Sequence, residues 1–385
     1  MNIGQFSDSF LPIVDGVGRV AVSYATALAG LQHSVIAVTP QAHITDAEQL
    51  PFAMATFSSF PLPIVKLPYR AGFPALDRKL GQVLRQADLD IIHVHAPFLL
   101  GRYGVHFAKK QNIPVVATFH SKFYDDFLQI TKSEKLAWAA VRNIVRFFER
   151  CDEVWAVSES SANTLREYGY EREIIVMPNG TDIRTLDKTV FPELIRRYQI
   201  DVQSPLLLYV GQLNWKKNIR RILEAVCLLQ KQGTTLQLLL AGMGPHKSDI
   251  ENTIEQWGLQ ACTRFTGHMQ STRELDGLYA LADLLVFPSL YDNGPMVVRE
   301  AAAMQTPSLL IAGSSAAENI RDGFNGFTCR DDAQALADVI TRVFKTPELG
   351  KEVGKNAYET IPVSWETLMT QVLQRYSALI AKKKA

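Results

Sequence analysis

Two carboxylates follow one predicted strand at a spacing that could serve chemistry on an anionic substrate. Asp292 and Glu300 flank the segment NGPMVVR, which comes after the apolar run LLVFPS. If Pro295 opens a helix, Glu300 lies about 1.5 turns inside it and Asp292 stays in the preceding loop. The backbone amides of residues 293–297 would then face an incoming anion. Two carboxylates at this spacing are usually only solvated, but their place after a strand favours a site.

A lysine and two glycine-rich turns could bind the same anion. Lys217 lies in GQLNWKKN, between an apolar strand and a helix, where an ammonium group can bind a diphosphate as a point charge. The segments Asp15-Gly16-Val17-Gly18 and Gly242-Met243-Gly244-Pro245 each follow a strand, and their glycines let the backbone approach a ligand closely. Each segment also fits an ordinary surface feature: a solvated lysine or a plain turn.

Three histidines end predicted strands. His93 and His95 end the run IIHVH, and His120 follows PVVATF. A histidine at a strand end can carry a proton, contact a ligand or serve a structural hydrogen bond, and for an isolated residue the structural role is the more common. The sequence shows no convincing metal-ligand spacing and no GxSxG or P-loop pattern.

Short apolar runs alternate with segments of helical period, which is typical of βαβ units. The predicted strands are 34–39, 91–95, 114–119, 153–157, 173–177, 206–210, 236–241, 263–265, 284–288 and 308–311. Predicted helices include 219–232, 247–257, 273–282, 296–304 and 365–379, and the polar segment 182–204 is interpreted as the interdomain connection. The pattern predicts two doubly wound α/β domains with ligands at the carboxyl ends of the strands, in a cleft between the domains.

The composition limits the class of protein. The chain has 385 residues, a net charge of +1 and 47% hydrophobic residues, which suits two globular domains and excludes a disordered chain, a collagen-like fibre and a small disulfide scaffold. The balanced charge argues against a nucleic-acid partner. No secretory signal, no apolar run of about 18 residues and no CxxC pair occur, so we expect a cytoplasmic protein.

The whole chain resembles the retaining glycosyltransferases of family 4, which have the GT-B fold. The resemblance rests on segments that occur in one order: FSDSFLPIVDGVGRVA, DIIHVHAPFLLG, PVVATFHS, EVWAVSES, VMPNGTD, VGQLNWKKNIRRILEA, LLLAGMGP, FTGHM, LYALADLLVFPSLYDNGPMVVREAAAMQTPSLL and ENIRDGFNGF. It implies two Rossmann-like domains facing each other across a cleft. The acceptor-binding domain would span 1–195, the nucleotide-sugar-binding domain 196–363, and a helix in 364–385 would pack back toward the first domain.

The resemblance also implies roles for the candidate residues. Lys217 would bind the diphosphate, Glu300 the donor ribose and His120 the transferred sugar. Asp292 would contact the sugar near the reacting carbon, and Gly16 would face the phosphates. The other implied donor-binding residues are Gln212, Met269, Asn293, Gly294, Pro295, Met296 and Val297. No acceptor-binding residue is assigned.

Two positions depart from the family's pattern. Asp292 replaces a glutamate and is one methylene shorter, and Gln212 replaces an arginine that usually accompanies Lys217. One charge-assisted contact is worth roughly 1.5–3 kcal/mol, so donor affinity or stabilisation of the leaving group could be weaker. The neighbouring Lys216 is a candidate for supplying the missing charge.

The predicted function is therefore a retaining hexosyltransferase. It would move a sugar from a nucleotide-sugar, with a UDP-sugar favoured, to an acceptor hydroxyl, without a metal or other cofactor. Lys217 and helix-end amides would hold the charge of the departing diphosphate, and the leaving phosphate would take the acceptor's proton. The alternative is a non-catalytic nucleotide-sugar-binding subunit of a glycosylation complex, suggested by Gln212 and Asp292. A GT-B epimerase or phosphorylase is disfavoured by the ordered segments.

The predicted acceptor is a lipid or a glycan. The opening FSDSFLPIVDGV resembles bacterial members that glycosylate diacylglycerol or phosphatidylinositol, which favours a membrane glycerolipid and a place at the inner face of the cytoplasmic membrane. In 136–150, the basic residues Arg142, Arg146 and Arg150 recur beside an apolar stripe. This pattern predicts either an interfacial helix with peripheral membrane contact or an ordinary surface helix packed on the sheet. The apolar stripe consists of Trp138, Val141, Val145 and Phe148.

Overall fold

The computed structural model describes residues 1–11, 16–41, 49–61, 70–269, 271–290 and 292–384. Asp15 of the predicted phosphate-facing turn lies outside the described residues. The chain forms two compact units, one of Met1–Gly180 with Val363–Ala385 and the other of Thr181–Pro362. Each unit is a Rossmann-like α/β domain built on a parallel sheet, as the sequence predicts.

The first unit contains a seven-stranded parallel sheet of order β3-β2-β1-β6-β7-β8-β9. Its strands are β1 (Asn2–Phe6), β2 (Ser34–Pro40), β3 (Ala53–Phe57), β6 (Ile91–Val94), β7 (Val115–Phe119), β8 (Glu153–Ala156) and β9 (Ile175–Val176), while β4 (Ser59–Pro61) and β5 (Arg70–Gly72) form a separate antiparallel pair. Its helices are α1 (Gly16–Gly30), α2 (Arg78–Gln86), α3 (Leu99–Gln111), α4 (Phe123–Thr131), α5 (Glu134–Phe148), α6 (Glu159–Glu167) and α14 (Trp365–Lys384). The central strands are continuous apolar runs because helices cover both faces of the sheet.

The last helix, α14, belongs to the first unit and packs against α1. The Tyr376 ring stacks on Trp155 of β8 with ring centroids 5.6 Å apart, and both side chains are fully buried. Large aromatic side chains contribute much of the apolar area that such a contact buries. The end of the chain is therefore part of this unit's core.

The second unit contains a six-stranded parallel sheet of order β12-β11-β10-β13-β14-β15. Its strands are β10 (Leu206–Val210), β11 (Gln237–Ala241), β12 (Thr263–Gly267), β13 (Leu284–Val286), β14 (Ser308–Ile311) and β15 (Phe327–Cys329). Its helices are α7 (Phe191–Tyr198), α8 (Ile219–Lys231), α9 (Lys247–Gln256), α10 (Thr272–Leu281), α11 (Met296–Ala303), α12 (Ala333–Lys345) and α13 (Pro347–Thr360). Strand β10 lies between β11 and β13, so polar loops from three neighbouring strands emerge at one edge.

The segment 182–204 is a packed part of the second unit rather than a bare connection. It contains α7, which starts with Pro192 in its first turn and buries Leu194 completely. Leu194 and Val190 are four residues apart, and both belong to the core of the second unit. Because α7 packs there, the units divide after Gly180, earlier than the predicted division after residue 195.

Glycines let two loops lie side by side at the carboxyl ends of β10 and β11. Gly242 has φ +144°, and a Cβ atom there would collide with the carbonyl oxygen of Gly211. A Cβ atom on Gly244 would lie 2.5 Å from the carbonyl oxygen of Leu213. No other residue type fits these two positions without moving a backbone, so the loops that begin the candidate site depend on them.

We expect Gly242→Ala to lower the free energy of unfolding of the second unit by about 3 kcal/mol or more, because the new Cβ meets backbone and occupies a positive φ. The matched control is Gly258→Ala, where φ is +71° but the space around a Cβ is open. We expect it to cost about 1 kcal/mol. Urea unfolding of both variants checks this, and equal losses would show that the close approach of the loops is unimportant.

Candidate functional site

Lys217 and Asp292 form an ion pair at the carboxyl edge of the second sheet. A single 3-10 turn at 215–217 separates β10 from α8, and the Asn214 side chain caps it by accepting a hydrogen bond from the Lys216 backbone N–H at 3.1 Å. This turn brings the Lys217 Nζ atom to 2.6 Å from Asp292 Oδ1, in the loop after β13. The two side chains are 17% and 22% exposed. The structure therefore joins two residues that the sequence places in separate motifs.

Helix α11 presents its N-terminus next to Asp292. Pro295 is the residue before its first turn, and its side chain makes no capping hydrogen bond. Gly294 has φ +49°, which lets the chain turn into the helix. The first amides of a helix have no partner within the helix, and they carry the positive end of its dipole. Met296 and Val297 therefore offer backbone N–H groups to an anion.

Several buried polar atoms at this edge have no hydrogen-bond partner among the described residues. They are Asp292 Oδ2, both side-chain polar atoms of Asn293, and Nδ1 of His246 in the loop after β11. Leaving such an atom unsatisfied costs about 1–3 kcal/mol, so these atoms are candidates for contacts with a polar ligand. A polar ligand with hydroxyl groups and an anionic part fits this donor and acceptor set.

Glu300 lies inside α11 and is 6% exposed. Its Oε2 atom accepts a hydrogen bond from the hydroxyl group of the buried Tyr279 at 2.9 Å. Tyr279 belongs to α10, and the sequence analysis did not single it out because a tyrosine in an apolar helix is usually a core residue. The structure adds it as the residue that fixes the orientation of the Glu300 carboxylate.

The remaining donor-site candidates lie at different places. The backbone carbonyl of Gln212 accepts a hydrogen bond from Tyr209 at 2.8 Å, just after β10. Met269 follows β12, and its Sδ atom accepts a hydrogen bond from the Tyr198 hydroxyl group at 3.5 Å. Gly16 is the exposed first residue of α1 in the first unit, and nothing lies within 4 Å of the place its Cβ would take. These three remain predicted donor contacts.

The first unit brings the three strand-end histidines together. His93 is fully buried, with Nδ1 2.6 Å from the Tyr376 hydroxyl oxygen and Nε2 2.7 Å from Thr118 Oγ1. His95 lies between His93 and His120, with ring centroids 4.3 Å and 5.5 Å away. The role of His93 is therefore structural, while His120 stands at the end of the cluster.

Burial governs the charge of these rings. It lowers the pKa of His120 to about 3 and moves the pKa values of His93 and His95 well below their usual value, with the neighbouring rings adding to the effect in the latter two. Burial also raises the pKa of Asp8, in the loop after β1, to about 7. The rings of His93, His95 and His120 are consequently neutral at pH 7.

Helix α5 packs its apolar stripe on the first sheet. Val141, Val145 and Phe148 are buried in the core, which agrees with the surface-helix alternative for this part of the stripe. Arg142 and Arg146 are exposed on the opposite side. No described helix combines the length and apolar character needed to cross a lipid bilayer. No group of three metal-binding side chains is arranged for an ion in the described part of the chain.

Family models match both units in turn. Residues 14–185 match the model described as Glycosyltransferase Family 4, and residues 190–360 match Glycosyl transferases group 1. The two matches follow the two Rossmann-like units. The chain belongs to glycosyltransferase family 4.

Individual relatives of this family 4 glycosyltransferase cover nearly its whole length. An alpha-monoglucosyldiacylglycerol synthase from Streptococcus pneumoniae is 25% identical over 93% of this chain and 82% of its own. A GDP-mannose-dependent alpha-mannosyltransferase from Corynebacterium glutamicum is 24% identical over 99% and 90%. Anabaena HepE in complex with UDP and glucose has a TM-score of 0.78 at 19% identity, over 98% of this chain and 99% of its own. The similarity of this structure to that of HepE confirms the GT-B fold.

We expect the stability of this glycosyltransferase to fall on acidification below pH 6.5. The unfolded chain protonates its histidines there, whereas the folded chain keeps the three buried rings neutral, so each ring removes about 1.4 kcal/mol of unfolding free energy per pH unit. The pKa of Asp8 is raised to about 7 in the folded chain, so folding binds a proton there below pH 7. This contribution offsets the loss of unfolding free energy caused by about one of the rings. Urea unfolding between pH 6.5 and 4 measures the slope.

The variant His93→Gln isolates one ring from the other titrating groups. Its slope should be shallower than that of the unsubstituted chain by about 1.4 kcal/mol per pH unit. The control His106→Gln replaces an exposed histidine on α3 and is measured in the same way. Identical slopes for all three proteins would refute the neutral cluster.

Proposed function

We propose that this enzyme transfers a hexose with retention from a nucleotide-sugar to a hydroxyl group of a membrane glycerolipid. The observation that carries the proposal is the pairing of Lys217 with Asp292 beside the uncapped start of α11. The unpartnered polar atoms of Asn293 add groups suited to sugar hydroxyls. The family pattern assigns Lys217, Asp292 and Asn293 to donor binding, and the ammonium group and the helix-end amides suit an anionic ligand.

Lys217 supplies the fixed positive charge for the departing diphosphate. In the structure Asp292 neutralises this charge. In the proposal a diphosphate of higher charge replaces Asp292 as the partner of the Lys217 ammonium group. The amides of Met296 and Val297 share the negative charge. The ammonium and amides supply the electrostatic stabilisation of the leaving group, and the proposed reaction needs no metal.

Lys217 rather than Lys216 is the diphosphate-binding residue in this proposal, because Lys216 is exposed whereas Lys217 lies against Asp292. We expect Lys217→Ala to lower kcat about 100-fold or more, since a preorganised donor to the leaving group is lost. The matched control Lys216→Ala should stay within about threefold of the unsubstituted enzyme, as an exposed charge contributes little. Nucleotide release under saturating donor measures both, and equal effects would contradict the assignment.

Retention follows from the role of the leaving phosphate as proton acceptor. Asp292 pairs with Lys217, and Glu300 accepts a hydrogen bond from the buried Tyr279. The proposal assigns the role of base to neither carboxylate. Attack on the face from which the phosphate leaves places the acceptor hydroxyl group beside a phosphate oxygen. The names of two relatives specify alpha products, which agrees with retention from an alpha-linked donor.

A UDP-sugar is the proposed donor, and GDP- and ADP-sugars are the alternatives. A structural neighbour was solved with UDP and glucose, whereas one relative is named GDP-mannose-dependent. A glycerolipid is the proposed acceptor because a relative that covers most of the chain is named a monoglucosyldiacylglycerol synthase. The site residues themselves identify neither the nucleotide base of the donor nor the lipid acceptor.

Nucleotide release from UDP-, GDP- and ADP-sugars, with and without vesicles that contain diacylglycerol and anionic lipid, tests this function. We expect release from one donor that rises with vesicles. An equal rate of nucleotide release with and without vesicles would contradict the lipid acceptor and indicate a soluble one. No release from any donor would favour the second candidate, a nucleotide-sugar-binding subunit, which the neutralised Lys217 and the replacement Gln212 suggest.

The tip of the α4–α5 hairpin is the proposed contact with the lipid surface. Ile130 is 73% exposed and Leu136 is 58% exposed, with Trp138 also at the surface. The exposed Arg142 and Arg146 follow on α5 and complement anionic lipid headgroups. Apolar side chains beside basic ones are what a peripheral membrane contact requires.

We expect the double variant Ile130→Ser, Leu136→Ser to lower vesicle-stimulated release and co-sedimentation with anionic vesicles at least fivefold, through the loss of buried apolar area. Basal release without vesicles should stay unchanged. The control Val202→Ser replaces an exposed apolar residue of the second unit, 64% exposed, and should retain vesicle binding. Equal binding by both proteins would exclude the hairpin as the contact.

A further inference from the structure

A chain of hydrogen bonds in the first unit ends at His120. The His95 Nε2 atom lies 2.7 Å from Gln5 Oε1, and His95 Nδ1 lies 3.3 Å from His120 Nε2. His95 is 2% exposed and Gln5 is 1% exposed. The contact with Gln5 is buried and the contact with His120 is partly buried, so we expect each to pair one donor with one acceptor.

The side-chain amide of Gln5 sets the direction of this chain. Its carbonyl oxygen can only accept, so the Nε2–H group of His95 donates to it. The 2.7 Å separation is typical of an N–H···O bond. The other end of the amide, Gln5 Nε2, donates to the Tyr376 hydroxyl oxygen at 3.4 Å. Both ends of the amide are therefore engaged, and its oxygen faces His95.

We propose that Gln5, acting through His95, holds His120 in the tautomer that carries its proton on Nε2. A neutral His95 that donates from Nε2 has a bare Nδ1, which can only accept. The facing Nε2 of His120 must then be the N–H that donates, and the Nδ1 atom of a neutral His120 is bare. Gln5 and His95 are thus positioning residues for His120.

Packing keeps all three rings neutral. His93 stacks on His95 with ring centroids 4.3 Å apart, and His120 lies beside His95 at 5.5 Å, so a proton on one ring would repel a proton on the next. Burial is the largest cause that lowers the pKa of each ring. The direction of the hydrogen bonds from His120 to His95 and from His95 to Gln5 depends on this neutrality, because a charged ring would donate from both nitrogens.

The tautomer limits the sugars that His120 can serve. A bare Nδ1 accepts a hydrogen bond from a sugar hydroxyl group, but its lone pair repels the carboxylate of a uronic acid. The opposite tautomer would carry the proton on Nδ1, and this N–H group could donate a hydrogen bond to a hydroxyl oxygen or to a carboxylate. Given the proposed function and the contact with the transferred sugar that the family resemblance implies for His120, the relay selects a neutral hexose over the corresponding uronate.

Nuclear magnetic resonance of the full chain with ¹⁵N-labelled histidine tests the tautomer directly. The His120 and His95 signals are assigned with the variants His120→Gln and His95→Gln. In the unsubstituted protein at pH 7.5 we expect Nε2 of His120 to resonate as a protonated nitrogen with cross-peaks to both ring carbon-bound protons, and Nδ1 as an unprotonated one. A proton on Nδ1, alone or together with one on Nε2, overturns the proposal whatever the enzyme's activity.

The variant Gln5→Met tests the relay, because methionine has a similar length without the accepting oxygen. His95 can then take either tautomer, and we expect His120 to show a mixture of the two. The matched control Tyr376→Phe removes the partner of the same amide's NH₂ group but keeps the oxygen, so His120 should keep its proton on Nε2. An unchanged His120 spectrum in Gln5→Met refutes the role of Gln5.

Kinetics separate the relay from the proposed function. With a hexose donor and a uronate donor that share one base, the preference in kcat/KM for the hexose should fall about tenfold in Gln5→Met and persist in Tyr376→Phe, which corresponds to one charge-assisted contact. A preference that survives the loss of the tautomer overturns the selection of neutral hexoses. If no donor turns over in the unsubstituted chain, the proposed function fails while the tautomer assignment stands on its spectra.

Discussion

The ion pair between Lys217 and Asp292 joins the two loops on which the proposed donor site depends. It forms because β10 and β13 are parallel neighbours, so that their carboxyl ends deliver both side chains to one edge of the sheet. A partly buried ammonium group needs a counter-ion, and the pair supplies one within the chain. In our proposal a diphosphate replaces Asp292 in this role, which couples donor binding to the release of a carboxylate beside the sugar.

The pattern of buried strands made much of the fold predictable. Leu206–Val210 and Ser308–Ile311 occur as predicted, because strands covered on both faces are continuous apolar runs. Strand β3, with alternating exposed and buried residues, and the three-residue β15 carry too weak a signal for this argument. Helix α7 was missed because its buried residues are few and its polar ones many.

The members of the candidate site were easier to predict than their contacts. Lys217 and Asp292 both stood out, but their pairing depends on the order of strands, which no local pattern encodes. Gln5 and Tyr279 gave no signal, since a glutamine in a strand and a tyrosine in an apolar helix are ordinary. Their importance comes from buried hydrogen bonds to His95 and Glu300 that only the fold creates. The roles carried over from the family for Gly16 and the other donor contacts stay predictions.

The central claim is that Lys217 and the start of α11 hold the leaving diphosphate, whose oxygen takes the acceptor's proton on the same face of the sugar. The anomeric configuration of the product made from an alpha-linked donor tests this most directly, by proton NMR of the isolated glycoside. The account predicts an alpha-linked product. A beta-linked product would contradict it, because inversion requires a base on the face of the sugar opposite to the leaving phosphate.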